Sequence, residues 1–147
     1  MKKTTLWSMF GLLLLISPMA MMGQGFRDLD AAMSGIERGF ARGEAQPIIA
    51  GVGDGDQVML DFSGLIGESG FFGRDQAAYM LDELFAKAKP MQFQQTSARK
   101  VSSEGQYHIQ ARWTLTRSGK EEQKDLYITL RQKGDRWTVA SIRSGGK

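Results

Sequence analysis

No group of side chains in this sequence combines the residue types and the spacing of a catalytic or metal-binding site. His108 is the only histidine, and a metal site or an activated nucleophile would need partners at defined spacing. If residues 106–117 form a strand, alternation places His108 on the polar face, opposite Trp113 and Leu115. We therefore predict that His108 points outward and is not catalytic.

Asp61 is the weak candidate for a catalytic carboxylate. It alternates with Leu60 and Phe62 in an apolar segment, and a carboxylate buried in an apolar pocket has a raised pKa and can act as a base. Isomerase chemistry also requires a tyrosine and a protonated acid that converge on one oxygen, and no tyrosine can be assigned that role from the sequence. An exposed strand carboxylate is the favoured interpretation.

Two further patterns are weaker still. Residues 54–56, Asp-Gly-Asp, resemble the start of a calcium loop, but the later ligands are missing at the required spacing, so we predict a turn. We predict no metal site and no cofactor.

Six cations on the C-terminal strands could bind phosphate, sulfated glycan or nucleic acid. They are Arg112, Arg117, Arg131, Lys133, Arg136 and Arg143. Aromatic residues are scarce on that face, so we expect a charged surface and no nucleic-acid partner.

Residues 1–25 have the three parts of a cleavable secretory signal. Lys2 and Lys3 precede an apolar run from Leu6 to Ile16, and Pro18 breaks that run. As a helix, the run covers only about half of a ~30 Å hydrocarbon core. We therefore predict a signal peptide rather than a transmembrane anchor; the alternative is a buried N-terminal helix.

The predicted mature domain spans residues 26–147, although cleavage could follow Ala20, Gly23 or Gly25. The chain has no cysteine, so it lacks a lipoprotein attachment site and disulfides, and its core alone must stabilise it. We expect a soluble protein of the periplasm or the cell exterior, without stable membrane insertion.

Charge is distributed unevenly along a nearly neutral mature chain. Residues 26–90 hold 6 basic and 11 acidic side chains, and residues 91–147 hold 11 basic and 5 acidic ones. Such a split could orient a partner or an anionic ligand. Solvated surface, or attraction between the two halves, is the favoured interpretation.

Helical spacing of apolar residues predicts the N-terminal elements. A first helix is predicted over residues 26–42, with a short second helix over 44–50. A third helix is predicted over 74–89, stopped by Pro90. The first helix would present one apolar stripe, formed by Phe26, Leu29, Met33, Ile36 and Phe40.

Alternating residues predict the strands. Residues 57–62 form one strand, and a tight turn within 64–70 returns the chain to a short second strand at Phe71 and Phe72. Four longer strands follow, over residues 91–101, 106–117, 123–132 and 136–143. Their connections are too short for anything but antiparallel neighbours. We predict an α+β fold, in which this meander and the short strand pair form a curved antiparallel sheet wrapped on two to three N-terminal helices.

The order of these elements, together with three segments, carries a resemblance to a known superfamily. The segments are residues 36–43 (Ile-Glu-Arg-Gly-Phe-Ala-Arg-Gly), 73–77 (Gly-Arg-Asp-Gln-Ala) and 133–139 (Lys-Gly-Asp-Arg-Trp-Thr-Val). Over residues 26–143 the chain resembles the nuclear transport factor two-like superfamily, a cystatin-like α+β cone, and within it a branch of small exported bacterial proteins of unknown function. The resemblance implies a pocket at the cone mouth that binds small apolar molecules, and some members are isomerases or dehydratases.

Six apolar side chains would line that pocket if the cone is open, and would form core if it is filled. They are Phe62, Phe72, Met80, Tyr107, Trp113 and Trp137. We predict a non-enzymatic module that binds a small apolar ligand or a protein. The alternatives are an isomerase or lyase with Asp61 as its base, and a module that dimerises through the face of its sheet.

Overall fold

The structure is a computed structural model that describes residues 25–101 and 105–145. The predicted signal peptide therefore lies outside the described residues, apart from Gly25. Among the described residues, no helix combines the length and apolar character needed to cross a bilayer. The elements, in chain order, are α1 (Leu29–Arg42), α2 (Gln46–Ile49), β1 (Gln57–Phe62), α3 (Ser63–Ile66), β2 (Glu68–Gly73), α4 (Arg74–Lys87), β3 (Lys89–Val101), β4 (Gln106–Arg117), β5 (Lys120–Lys133) and β6 (Arg136–Gly145).

All six strands form one curved sheet in the order β2-β1-β6-β5-β4-β3. Each neighbouring pair within β3 to β6 is antiparallel, which confirms the predicted meander and the α+β class. The short β1–β2 pair is antiparallel as well, but it joins the meander through a parallel pairing of Leu60 with Ile142. The sheet is therefore mixed at this one junction.

The helices cover the inner face of the sheet, where the core is centred on Trp113. Its ring is fully buried and meets the rings of Phe40 and Phe85 edge-on, at centroid distances of 5.3 and 6.0 Å. Trp113 Nε1 donates a 3.0 Å hydrogen bond to the Phe40 carbonyl oxygen, so the one polar atom of this buried ring is satisfied.

Helix α1 has a defined start and a close contact with α2. The Asp28 side chain accepts a 2.7 Å hydrogen bond from the Ala31 amide, and Gly43 ends the helix in the left-handed region, at φ 72°. A Cβ atom on Gly39 would lie 2.8 Å from the Glu44 carbonyl oxygen. Glycine is therefore required here because the α1–α2 turn passes directly over it.

The first helix is shorter than predicted, since Phe26 lies outside it. The Phe26 amide donates to the Trp137 carbonyl at 2.7 Å, and the Trp137 amide donates to the Phe26 carbonyl at 2.9 Å. Phe26 therefore forms an isolated antiparallel bridge and still buries its ring. Helical spacing correctly predicted that Phe26 is buried, but it wrongly placed the residue in the first helix.

Other predicted boundaries differ as well: α2 is shorter than the predicted 44–50, β3 begins two residues before the predicted 91, and β6 ends two residues after the predicted 143. The expected tight turn within 64–70 is instead the helical turn α3, which Gly67 ends at φ 73°, and β2 starts at Glu68. Helix α4 ends at Lys87, two residues earlier than predicted, because the chain has already turned into β3, which contains Pro90. Strand β5 begins at Lys120, because the turn before it is tighter than the sequence indicated.

Candidate functional site

Asp61 lies on the outer face of the sheet, away from the core. It pairs across strands with Ser69 and Arg143, and it accepts hydrogen bonds from the Ser63 hydroxyl at 2.8 Å and the Ser63 amide at 3.1 Å. These bonds, the hydroxyl first, hold the pKa of Asp61 below its ordinary value of 3.8. A catalytic base needs the opposite shift, so the geometry does not support Asp61 in that role. It shapes the turn into α3 instead.

His108 also lies on the outer face, as alternation predicted, while Trp113 of the same strand is buried inside. Its Nε2 atom is 3.2 Å from the Gln106 side-chain oxygen, and its Nδ1 atom is 3.4 Å from the Thr129 hydroxyl. A carbonyl oxygen can only accept, so Nε2 carries the proton in this contact. These neighbours orient the ring but provide neither a nucleophile nor a metal partner.

The six pocket candidates separate into two groups. Phe62 and Trp113 are fully buried, and Trp137 is buried against Tyr107, with ring centroids 6.4 Å apart. At these positions the inner face is packed. Phe72 and Met80 instead line a surface groove of about 410 Å³ together with Tyr79.

Apolar side chains lie on both sides of β2 at one end of the sheet, since Phe72 lines the groove on the inner side and Phe71, the preceding residue, faces the outer side. Phe71 and Tyr79 are 69% and 65% exposed, Phe71 on β2 and Tyr79 on α4. We call this the β2-edge surface, and it comprises Phe71, Phe72, Tyr79 and Met80. Within residues 25–101 and 105–145, strand β2 pairs with β1 alone and forms one edge of the sheet.

A second groove, of about 520 Å³, lies on the outer face across β3, β4 and β5. Its polar side chains fall in two adjacent rows of cross-strand partners. One row is Arg99, His108 and Thr129, and the other is Ser97, Gln110 and Tyr127. We call this the outer groove.

The six cations expected on the meander do not converge on one site. Arg117 donates to the Gly64 and Leu65 carbonyls at 3.2 and 3.1 Å and pairs with Glu122 at 3.1 Å. It therefore fastens α3 to the sheet. Lys133 pairs with Asp56, so this contact holds part of the 54–56 turn.

Sequence analysis missed Arg99 of the outer groove and Tyr79 of the β2-edge surface, whereas alternation does place Tyr127 on the outer face. Tyr79 had an available signal, because it falls outside the buried positions of a helix whose apolar spacing was recognised. Arg99 had no such signal in the sequence. The face of the sheet on which it lies depends on an irregularity in β3 that alternation cannot locate.

A family model described as "Domain of unknown function (DUF4783)" matches residues 33–144. The chain belongs to the DUF4783 family. A search of curated proteins finds no match. The crystal structure of a DUF4783 family protein from Bacteroides ovatus is similar, with a TM-score of 0.60 at 22% identity, over 76% of this chain and 91% of that one.

Two solved structures that are not described as DUF4783 proteins have a similar fold. One is a nuclear transport factor two-like protein of unknown function from Shewanella oneidensis, with a TM-score of 0.57 at 18% identity, over 78% of this chain and 93% of that one. The other is a hypothetical protein with a ketosteroid isomerase-like fold from Catenulispora acidiphila, in complex with trimethylamine. Its TM-score is 0.62 at 12% identity, over 82% of this chain and 88% of that one. The DUF4783 domain therefore has the expected nuclear transport factor two-like fold.

Proposed function

We propose that this DUF4783 protein is a non-enzymatic protein-interaction module that binds an extended segment of its partner at the β2-edge surface. The observation that carries the proposal is a contrast in exposure. Trp113 and Phe62 are fully buried in the cone, whereas Phe71 and Tyr79 are largely exposed at its edge. Exposed aromatic side chains at the edge of a small domain are typical of protein interaction sites. The predicted signal peptide supports an exported protein.

An edge strand offers a partner more than apolar contact. Because β2 has one strand neighbour in the sheet, its outer backbone groups can pair with an added extended segment. Side chains of an added strand alternate in direction. One set would enter the groove at Phe72, Tyr79 and Met80, and the other would lie beside Phe71.

The charge around the β2-edge surface favours a basic partner segment. Glu68 lies in β2 and Asp75 lines the groove, and α4 adds Glu83 one turn after Tyr79 and Met80. The nearby cation Arg74 is paired with Asp54 at 3.4 Å. Complementarity therefore selects a segment in which apolar and basic residues alternate.

The other candidate functions have less support. An isomerase or lyase would need a basic carboxylate inside the cone, and Asp61 lies outside it with a lowered pKa. A small apolar ligand in the cone would have to displace packed rings around Trp113. A homodimer through the sheet face remains an alternative that the experiment below distinguishes.

The proposal is tested by selecting random decapeptides from a displayed library on the purified domain. We expect enriched peptides to alternate apolar and basic residues and to shift the amide NMR signals of β2 and α4. Replacing both Phe71 and Tyr79 with Ser should weaken their binding about tenfold or more, because two aromatic contacts are lost.

The matched control is Met91→Ser, which removes another exposed apolar side chain, 55% exposed, from β3 at the opposite edge. It should leave peptide affinity unchanged. Peptides that shift only outer-face signals, or that bind the double variant equally well, would overturn the proposal. The alternative is a dimer through the face of the sheet. It would be favoured if no peptide were enriched and if sedimentation showed that the double variant self-associates as tightly as the unchanged protein.

A further inference from the structure

We infer that the outer groove binds a small acidic carbohydrate, a hydroxylated molecule that carries one phosphate or carboxylate group. This site is separate from the β2-edge surface and does not depend on the function proposed there. The groove's volume of about 520 Å³ falls within the ~300–1,000 Å³ typical of small-molecule sites. It is too small to hold a folded partner.

The cationic side chain of the groove is Arg99, at one end of the first row. Arg99 is exposed and pairs across strands with His108. Within residues 25–101 and 105–145, no ion pair involves Arg99. Its guanidinium is therefore available to form a bidentate contact with an oxyanion, the geometry that arginine provides best.

A β-bulge places Arg99 on this face. Register shifts between Gln95 and Ser97, so Thr96 is an extra residue, and its hydroxyl donates to the Gln110 carbonyl at 3.0 Å. Without the bulge, alternation would turn Arg99 to the inner face, opposite Tyr107. Bulges commonly redirect a side chain beside a functional site, and this one brings Arg99 next to His108.

The remaining lining matches hydroxyl groups on a compact ring. Ser97, Gln110 and Thr129 provide neutral donors and acceptors. Tyr127 is 45% exposed and lies two strands and one row from Arg99, about 12 Å at ordinary strand geometry. That span matches a monosaccharide whose acidic group contacts Arg99 and whose ring lies on Tyr127.

The surroundings argue against a polyanion such as nucleic acid. Two of the neighbouring cations face acids, since Arg112 is 3.9 Å from Asp125 and Arg143 lies opposite Asp61. Arg131 follows Thr129 by two residues in β5 and lies outside the lining of the groove. Among the described residues, Arg99 is the one cation that lines the groove beside the His108 imidazole, which suits a ligand with a single acidic group. A phosphate backbone would need several such cations in line.

The inference is tested by NMR titration of the purified domain with glucose 6-phosphate, glucuronic acid and uncharged glucose. We expect saturable shifts confined to β3, β4 and β5 with at least one of the two acids, and much weaker binding of glucose. If glucose 6-phosphate binds, the acidic group of the ligand is a phosphate, and if glucuronic acid binds, it is a carboxylate. Arg99→Gln should weaken binding about tenfold, because one charge-assisted contact is lost.

Lys100→Gln is the matched control, because it removes the same charge from the next residue, which pairs with Tyr107 on the opposite face. It should leave the affinity unchanged. If both variants lost affinity equally, the effect would come from the overall positive charge of the protein, and the inference would be overturned. Shifts that never saturate, or that survive Arg99→Gln, would overturn it as well. Peptide binding at the β2-edge surface should be the same in both variants, so failure here leaves that proposal standing.

Discussion

The two faces of strand β4 differ sharply in exposure. On the inner face, Trp113 and Leu115 have no exposed surface. On the outer face, His108 and Gln110 are partly exposed and border a groove. One strand therefore supplies both the packed centre of the fold and the lining of a candidate site. The inner face determines stability, whereas substitutions on the outer face can change binding without unfolding the chain.

The proposed binding surfaces differ in place from the pocket at the cone mouth that the resemblance implied. On the inner face, the rings of Phe40 and Phe85 pack against Trp113. Among the described residues, the most exposed aromatic side chains are Phe71, Tyr79 and Tyr127, on β2, α4 and β5. A shared fold does not fix where a protein binds, so a proposal about binding has to be argued from such side chains.

The strongest test of this contrast is Trp113→Ala on the inner face. The substitution leaves a cavity between Phe40 and Phe85 and removes the donor to the Phe40 carbonyl. We expect the free energy of unfolding, measured with urea, to fall by about 3–5 kcal/mol. Arg112→Ala, one residue away on the outer face, should change it by less than about 0.5 kcal/mol. Similar losses in both variants would contradict the division between faces.

A second test adds volume to the helix layer that covers the inner face. A methyl group on Gly39 would contact the Glu44 carbonyl oxygen at 2.8 Å and the Ile48 side chain. Gly39→Ala should therefore lower the thermal midpoint, at a cost of about 1–3 kcal/mol. Gly64→Ala in α3, where nothing lies within 4 Å of the added atom, should be neutral or slightly stabilising. A neutral Gly39→Ala would mean that α1 and α2 pack less closely than described.

The smallest expected effect concerns Asp61 on the outer face. Its folded-state pKa is lowered below 3.8 by Ser63, so its stabilising contribution is present above that value and is lost as the pH falls through the folded-state pKa. Ser63→Ala should raise the Asp61 pKa, followed by carboxyl NMR, and cost less than about 1 kcal/mol at pH 7. An Asp61 pKa unchanged in that variant would show that the Ser63 contacts do not form in solution.

Elements specified by local pattern were predictable from the sequence. Strands β1 and β4 have the predicted bounds because clean alternation runs through each of them to a turn at either end. Short connections then required β3 to β6 to be antiparallel neighbours. The outward position of His108 followed from the same alternation.

Features that depend on distant partners were not predictable. Phe26 leaves the helix because its backbone pairs with Trp137, a residue far away in the chain. The bulge at Thr96 depends on how β3 bends over its neighbour, and it reverses the face of every later residue in that strand. The outer groove needed this information, so no pattern in the sequence could identify Arg99 as part of it.

The parallel pairing of β1 with β6 constrains how the chain can assemble. Leu60 meets a partner that is synthesised about 80 residues later, so the six-stranded sheet cannot close until β6 is available. Loop closure over such a distance is slow in comparison with hairpin formation. The C-terminal hairpins can therefore form first, and the β1–β2 pair, which carries the β2-edge surface, completes the fold by docking onto them.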